Sequence, residues 1–540
     1  MNSIETDAYR YAVKNAFEHD GKANAGAVIG KLKALHADKE IRELAQKANA
    51  QIQRVHALPA EQLKAEFEKF DAEGWELKAR QKEEGHLPDL DWAEREKVVT
   101  RFAPNPSSVM HLGHVRAALL SAEYARRYNG TFILRFEDTD PKTKKPIPGV
   151  EEQYTMDLNW LGTNANEVFY QSDRFERYYE VLRELIEKNA SYVCTCDNDR
   201  WKKDKARGIS CACRDKKAAA NEADFARMLS HDFKEGQAVV RVKTDMQHPD
   251  PSIRDWWAAK IVDKPVHPRR KNTWVWPGYN LAAGVDDHDM GITLILRGQE
   301  HAQNAQKQAF MYTHLGWVYP RAIHFGRMKT KGFLLSKSRI NELLASGEIR
   351  SFDDPRLGTL QALRRRGFSP NAIKKMVLEL GVNSNDATLS LEKLYNFNQK
   401  EIFDRVHRID FFEKPVEIQV RNAPDRAPPR VLADEKRLTT LEGETKVRLR
   451  HLFNVQLVLK GHAAIAEFVD TEKADVAIVA WAEKVQKIEI RWSDNSLREG
   501  FADEKIKTVP VGDFVSFDGL GICRVERQEN DATILIFTQP

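Results

Sequence analysis

The stretch EKVVTRFAPNPSSVMHLGHVRAALLSAEYARRYNGTFILRFEDTD, residues 96–140, decides the fold. EKVVTRF is a short β-branched run, and Ala103-Pro104-Asn105-Pro106 ends it, because proline has no amide to give a strand ladder. HLGHVRAALLSAEYARRY then reads as a helix beginning near Gly113, and TFILRFEDTD as a second strand ending in acids. Strand, helix, strand opens a doubly wound parallel sheet, in which functional loops lie where strands end. The helix start would turn free amides toward a phosphate, with His111 and His114 beside it as donors and Gly113 leaving room for close approach. A bare H-x-x-H is weak evidence, since two histidines can also merely cap and pack a helix start.

Further along, GFLLSKSRI at residues 332–340 sets Lys337 between two serines, a point charge with hydroxyl neighbours that suits phosphate oxygens. The commoner fate of a lysine is a solvated loop. Upstream, residues 1–95 form a helical unit: IGKLKALHADKEIRELAQKANAQI repeats apolar residues at helical spacing, and Trp75 with GHLPDLDW marks the exit. Residues 96–171 are the first half of a nucleotide-binding fold. Residues 172–283, with a cysteine cluster and paired aromatics, read as an insertion, and 284–340, with GITLILRGQEH and RAIHFGRM, as the second half. Residues 341–407 are helical, with Pro370 at a helix start after Ser369. Residues 408–540 turn to short strands, VEIQV, VQLVLKG, KIEIRW, DFVSFDG and ATILIF, as in one or two β-barrels.

With 540 residues, 42% hydrophobic and 30% charged, the chain is a multidomain globular protein. A net charge of +4 from 84 basic and 80 acidic residues neither demands nor excludes a polyanionic partner. No run approaches the ~20 apolar residues of a membrane span, and the first residues lack a secretory layout, so a cytoplasmic location is the expectation. Of five cysteines, Cys194, Cys196, Cys211 and Cys213 fall in one window as two C-x-C pairs, fit for a tetrahedral zinc ion or else free buried thiols; Cys523 looks structural.

Together HLGH and LLSKS resemble the two signature motifs of class I aminoacyl-tRNA synthetases, and TFILRFEDTDP with YNLAAGVDDHDMGITLILRGQEH (279–301) resembles the glutamyl and glutaminyl branch of that class. The helical front and β-rich tail resemble its archaeal and eukaryotic glutamyl type. Ser108, Leu334 and Gln299 depart from the motifs. The resemblance implies a class I Rossmann-type catalytic domain split by an insertion that faces the tRNA acceptor end, and an anticodon-binding tail. It also implies ATP with Mg2+ as substrate complex, L-glutamate, and tRNA(Glu), with tRNA(Gln) left open. His111, Gly113, His114 and Lys337 would contact ATP, Lys337 steadying the leaving pyrophosphate.

A glutamate pocket needs two cationic clamps, whereas glutamine's amide cannot pair with the second. By resemblance Arg101 and Arg297 are those clamps, Glu137 holds the substrate ammonium, and Ala103 and Tyr279 line the pocket. Arg297 stands where glutaminyl enzymes carry no arginine, which favours glutamate; which arginine meets which carboxylate stays open. Basic runs at 200–207, 268–274 and 364–370 suit RNA, although such runs are usually solvated faces. The rival readings are a glutaminyl enzyme and a tRNA-binding paralogue without catalysis.

Overall fold

The computed structural model describes residues 3–19, 21–36, 39–72, 87–330, 332–425, 427–441, 445–460, 463–472 and 475–540, so Trp75 lies outside the described residues. The chain divides into two compact units, one of residues 1–90 with 378–381 and one of 91–377 with 382–540.

The first unit is helical: Ser3–Glu18, Ala25–Leu35, Ile41–His56 and Ala60–Ala72. In the third of these helices Leu44, Ala48, Ile52 and Val55 recur on one face and are buried with Ala8, Val13 and Leu32. Asn24 starts the second helix by accepting from the Ala27 amide at 3.1 Å.

The second unit is built on a five-stranded parallel sheet in the order Glu167–Tyr170, Thr131–Phe136, Val99–Phe102, Leu294–Gly298, Arg321–Phe325. Val99–Phe102 pairs on one side with Thr131–Phe136, Arg101 opposite Ile133, and on the other with Leu294–Gly298, Thr100 opposite Leu294. Strand order reverses between these two neighbours, and an open parallel sheet leaves a crevice beyond the carboxyl ends at such a point. The helix Leu112–Arg127 buries Leu112, Val115 and Leu119 in one core with Phe102, Leu134, Phe136 and Tyr154. It therefore begins at the rim of that crevice.

Between Glu167–Tyr170 and Leu294–Gly298 the chain forms a four-stranded antiparallel sheet, Ser191–Cys194, Val239–Val242, Trp257–Ile261 and Val275–Pro277. The boundary expected at 283 falls inside the helix Tyr279–Asp289. Leu281, Ala282 and Val285 of this helix share a core with Phe175, Tyr178 and Trp276, so packing runs continuously through that point. Beyond residue 405, a seven-stranded sheet is interrupted in sequence, after Phe411–Phe412, by a six-stranded one spanning 415–479. Among the described residues no helix is long and apolar enough to cross a membrane.

Candidate active site

A cavity of about 710 Å³ opens at the reversal of strand order, and Arg101, Ala103, Glu137, Tyr279 and Arg297 all line it, with Gly113 and His114 on its wall. Topology explains the convergence. Arg101 and Arg297 are each the next-to-last residue of the two strands that flank the reversal. Ala103 and Glu137 each follow a strand end, and Tyr279 opens its helix. The Glu137 amide donates to the Pro104 carbonyl at 2.9 Å, and the Asn105 amide group to the Glu137 carbonyl at 2.6 Å, so the two strand-end loops are laced together.

The two arginines differ in charge balance. Arg101 Nε donates to Asp287 Oδ1 at 3.1 Å, and buried Arg135 donates to the same oxygen at 2.8 Å and to Glu137 Oε1 at 3.2 Å. Burial pushes the Asp287 carboxyl up, but Arg101 and Arg135 outweigh it and hold it below its ordinary range. For Glu137 burial prevails over the same two arginines and the carboxyl is raised. Behind them Asp286 accepts from Arg174 Nε at 2.7 Å and Tyr178 Oη at 2.8 Å. Arg297, 5% exposed, meets only neutral acceptors: Tyr319 Oη at 2.9 Å, Gln308 Oε1 at 3.3 Å and His324 Nε2 at 3.3 Å. Among the described residues no carboxylate pairs with it. Asp287 acts on it only from beyond contact distance. A buried cation without a directly paired carboxylate is costly, so this cavity is built to receive an anion.

The two motif loops meet beside the cavity. His111 is the N-cap of Leu112–Arg127, and its Nδ1 accepts from the Gly113 amide at 3.0 Å. A Cβ on Gly113 would come within 2.8 Å of that ring, so the glycine makes room for the cap, a second reason besides ligand approach. Because Nδ1 accepts, the ring proton sits on Nε2 and can be given to a ligand. The His114 ring stacks on His111 at 3.8 Å, and burial lowers both, His111 to about 4 and His114 well below its ordinary value. Lys337 begins the helix Lys337–Ser346 and donates to Ser107 Oγ at 2.6 Å. Burial and the neighbouring Lys144 charge lower its ammonium. The segment Arg356–Leu360 ties the loops together: the Leu334 amide donates to the Arg356 carbonyl, and the Leu112 amide to the Gly358 carbonyl at 2.9 Å. Neither His111 nor Lys337 is on the cavity wall itself.

The four clustered cysteines carry free thiols whose sulfurs lie within 4.8 Å of one another, with Cys194 to Cys211 at 3.9 Å and Cys196 to Cys213 at 3.7 Å. A tetrahedral zinc ion with bonds of about 2.3 Å sets its sulfurs about 3.8 Å apart, so this donor set fits the metal.

The basic runs fare differently. Arg366 is fully buried and donates to the Phe537, Thr538 and Pro355 carbonyls, which removes it from any RNA surface, and Arg365 pairs with Glu526. Arg269 pairs with Asp173, and Arg270 with Glu176 at 2.7 Å. In the run 200–207 Trp201 is buried under the Arg241 guanidinium.

A family profile described as "tRNA synthetases class I (E and Q), catalytic domain" matches residues 97–404. The chain is 39% identical over 570 residues to the glutamate–tRNA ligase of Pyrococcus furiosus, covering 99% of both chains. The chain belongs to the class I tRNA synthetases of the glutamate and glutamine branch. The Ignicoccus hospitalis glutamate–tRNA ligase is 43% identical over 433 residues, 79% of this chain and 74% of that one. A solved glutamate tRNA ligase from Elizabethkingia meningosepticum aligns over 57% of this chain and 70% of its own, at 22% identity and a TM-score of 0.42. As a member of this class the chain carries the ATP-dependent ligase domain of aminoacyl-tRNA synthesis. Sequence reasoning did not assign Asp287, Arg135, Ser107 or the trio around Arg297. The signal for two of them was present: Arg135 interrupts the apolar TFILRF, and Asp286-Asp287 follows the largely apolar YNLAAGV within one helix.

Proposed function

We propose that the chain activates L-glutamate with ATP and attaches it to the 3′ end of tRNA(Glu). One observation carries the reading: two buried arginines at adjacent strand ends share a cavity with Glu137 and Tyr279. A two-carboxylate substrate with an ammonium group matches two cations and one acid. Arg101, already paired with Asp287, would hold the α-carboxylate loosely enough for it to react; Arg297, with no carboxylate bonded to it among the described residues, would take the side-chain carboxylate.

The α-carboxylate oxygen attacks the α-phosphorus of ATP, and pyrophosphate leaves with the bonding electrons. Lys337 steadies the charge that gathers on the leaving oxygens, and neutral His111 and His114 donate hydrogen bonds to the phosphates. Magnesium, carried on ATP, shares that phosphate charge. The ribose 2′-hydroxyl of the terminal tRNA nucleotide then attacks the acyl carbon and AMP departs. On this reading residues 172–283 receive the acceptor end, with zinc held by the four cysteines, and 408–540 form the β-barrel region that reads the anticodon. A cytoplasmic location goes with that role.

The test is charging of separate tRNA(Glu) and tRNA(Gln) transcripts with each amino acid in turn. Glutamate on tRNA(Glu) is expected, and its appearance on tRNA(Gln) as well would define a non-discriminating enzyme. Attachment of glutamine would overturn the reading of Arg297. No attachment at all would leave a binding protein.

A further inference from the structure

We infer that Gln308, which is not on the cavity wall, sets selectivity for a charged side chain by keeping Arg297 without a bonded carboxylate. The inference rests on the proposed role of Arg297.

Gln308 lies on the helix Ala302–Leu315 and is completely buried. Its Oε1 accepts from Arg297 Nη1 at 3.3 Å and from Tyr319 Oη at 2.8 Å, and Tyr319 Oη in turn accepts from Arg297 Nη2 at 2.9 Å. These bonds fix the amide's orientation, since the reverse would turn its NH2 on the guanidinium. The consequence is that Gln308 Nε2 is buried without a hydrogen-bond partner among the described residues.

Two costs therefore sit side by side: a buried guanidinium with no carboxylate in direct contact, and a buried amide donor with no acceptor among the described residues. A glutamate at 308 has nearly the same shape and would remove both, with a carboxylate paired to Arg297 and no orphaned N–H. A chain optimised for stability would use the acid there. Gln308, His324 and Tyr319 instead orient Arg297 through neutral acceptors, and its full charge remains for a ligand. The contrast with Arg101, whose charge Asp287 already shares, lies within the same cavity. Stability withheld at a binding site is a known trade against function.

The test is Gln308→Glu in the full-length protein, with wild type and Arg297→Ala alongside. The variant should melt at a higher temperature than wild type without ligand. Its KM for glutamate should rise roughly 30-fold or more, as expected when a buried charge partner is lost to the substrate, while KM for ATP and for tRNA stays within about threefold. Discrimination between glutamate and glutamine should narrow. An unchanged KM for glutamate overturns the inference, as does a variant that melts lower or fails to fold, because ion pairing should strengthen this site. If Arg297→Ala itself keeps the wild-type KM for glutamate, the reading of the pocket fails; if only Gln308→Glu is silent, this inference alone fails.

Discussion

Lys337 Nζ lies 2.6 Å from Ser107 Oγ, so residues 230 positions apart in sequence join the two motif loops directly. The lysine is the first residue of its helix, and no acid occupies that first turn. A cation there opposes the helix dipole and weakens the helix start, which makes sense for a spot meant to hold an anion. Ser107 supplies a neutral resting partner that a phosphate oxygen can displace without breaking an ion pair.

Replacing Lys337 by alanine should therefore separate catalysis from folding. The rate of glutamyl-adenylate formation should fall on the order of 10²- to 10³-fold, the usual effect of losing one transition-state charge donor. Stability should change by under about 0.5 kcal/mol, because among the described residues the half-buried side chain makes a single hydrogen bond, to Ser107. Single-turnover kinetics and a thermal melt together check both halves; a near-normal rate would remove Lys337 from the reaction.

His111 gives a prediction with a sign. Its folded value of about 4 lies below the ordinary 6.5, chiefly through burial. Above pH 6.5 neither state is protonated and the neutral cap is intact. As pH falls from 6.5 toward 4 the unfolded chain takes up a proton that the folded chain refuses, so stability drops, on the order of 1–3 kcal/mol from this group. Asparagine is also an N-cap acceptor but does not titrate. His111→Asn should lose less stability than wild type between pH 7 and pH 4.5, measured by urea unfolding; equal losses would show that His111 is not the titrating group.

Much of this architecture was legible because local signals agreed with one another. Prolines after a β-branched run, a helix with two histidines at its start and a strand ending in acids place Arg101, Ala103, Glu137 and the HLGH turn at one end of a parallel sheet. What was not legible is which charges neutralise which. Arg101 and Arg297 look alike in sequence, yet Asp287, 186 residues after the first, bonds directly to one and only acts at a distance on the other. The domain edge expected at 283 falls inside the helix Tyr279–Asp289, because Leu281, Ala282 and Val285 pack in a core that continues across it. In the tail Pro415–Arg421, Asn454–Lys460, Val485–Arg491, Phe514–Phe517 and Ala532–Gln539 were readable from β-branched runs, whereas Ala463–Asp470, Leu497–Asp503 and Gly521–Gln528, which mix small and charged residues, were not, and Phe411–Phe412 exists only through its partner.

Arg366 shows how a basic run can mislead. Its guanidinium lies beside the edge-to-face pair of Phe333 and Phe368, 5.3 Å from each ring, and its donors meet carbonyls that include Thr538 of the last strand at 2.9 Å. Arg366→Ala would leave buried carbonyls without donors and a void beside the two rings. A loss of about 2–4 kcal/mol is expected, read from denaturant midpoints. At temperatures where both proteins are folded, tRNA affinity should change less than about twofold and its salt dependence should be the same. A shallower salt slope would mean that Arg366 contacts phosphate after all.

The cysteine cluster can be tested without reference to catalysis. Sulfurs at 3.7 and 3.9 Å across the two C-x-C pairs already stand at the spacing of a zinc tetrahedron, and Cys194 and Cys213 are buried on the strand and turn that frame it. Four thiols held this close with no metal would repel one another as any of them ionised, so the arrangement favours a bound cation. Protein purified without chelators should carry about one zinc per chain by elemental analysis, and the four thiols should react with a thiol reagent only after zinc is stripped. Cys211→Ser should lower zinc content and destabilise the sheet Ser191–Pro277, seen as faster proteolysis within 191–277. Zinc-free protein that takes up none from added zinc salt, with all four thiols reacting at once, would instead identify them as free cysteines.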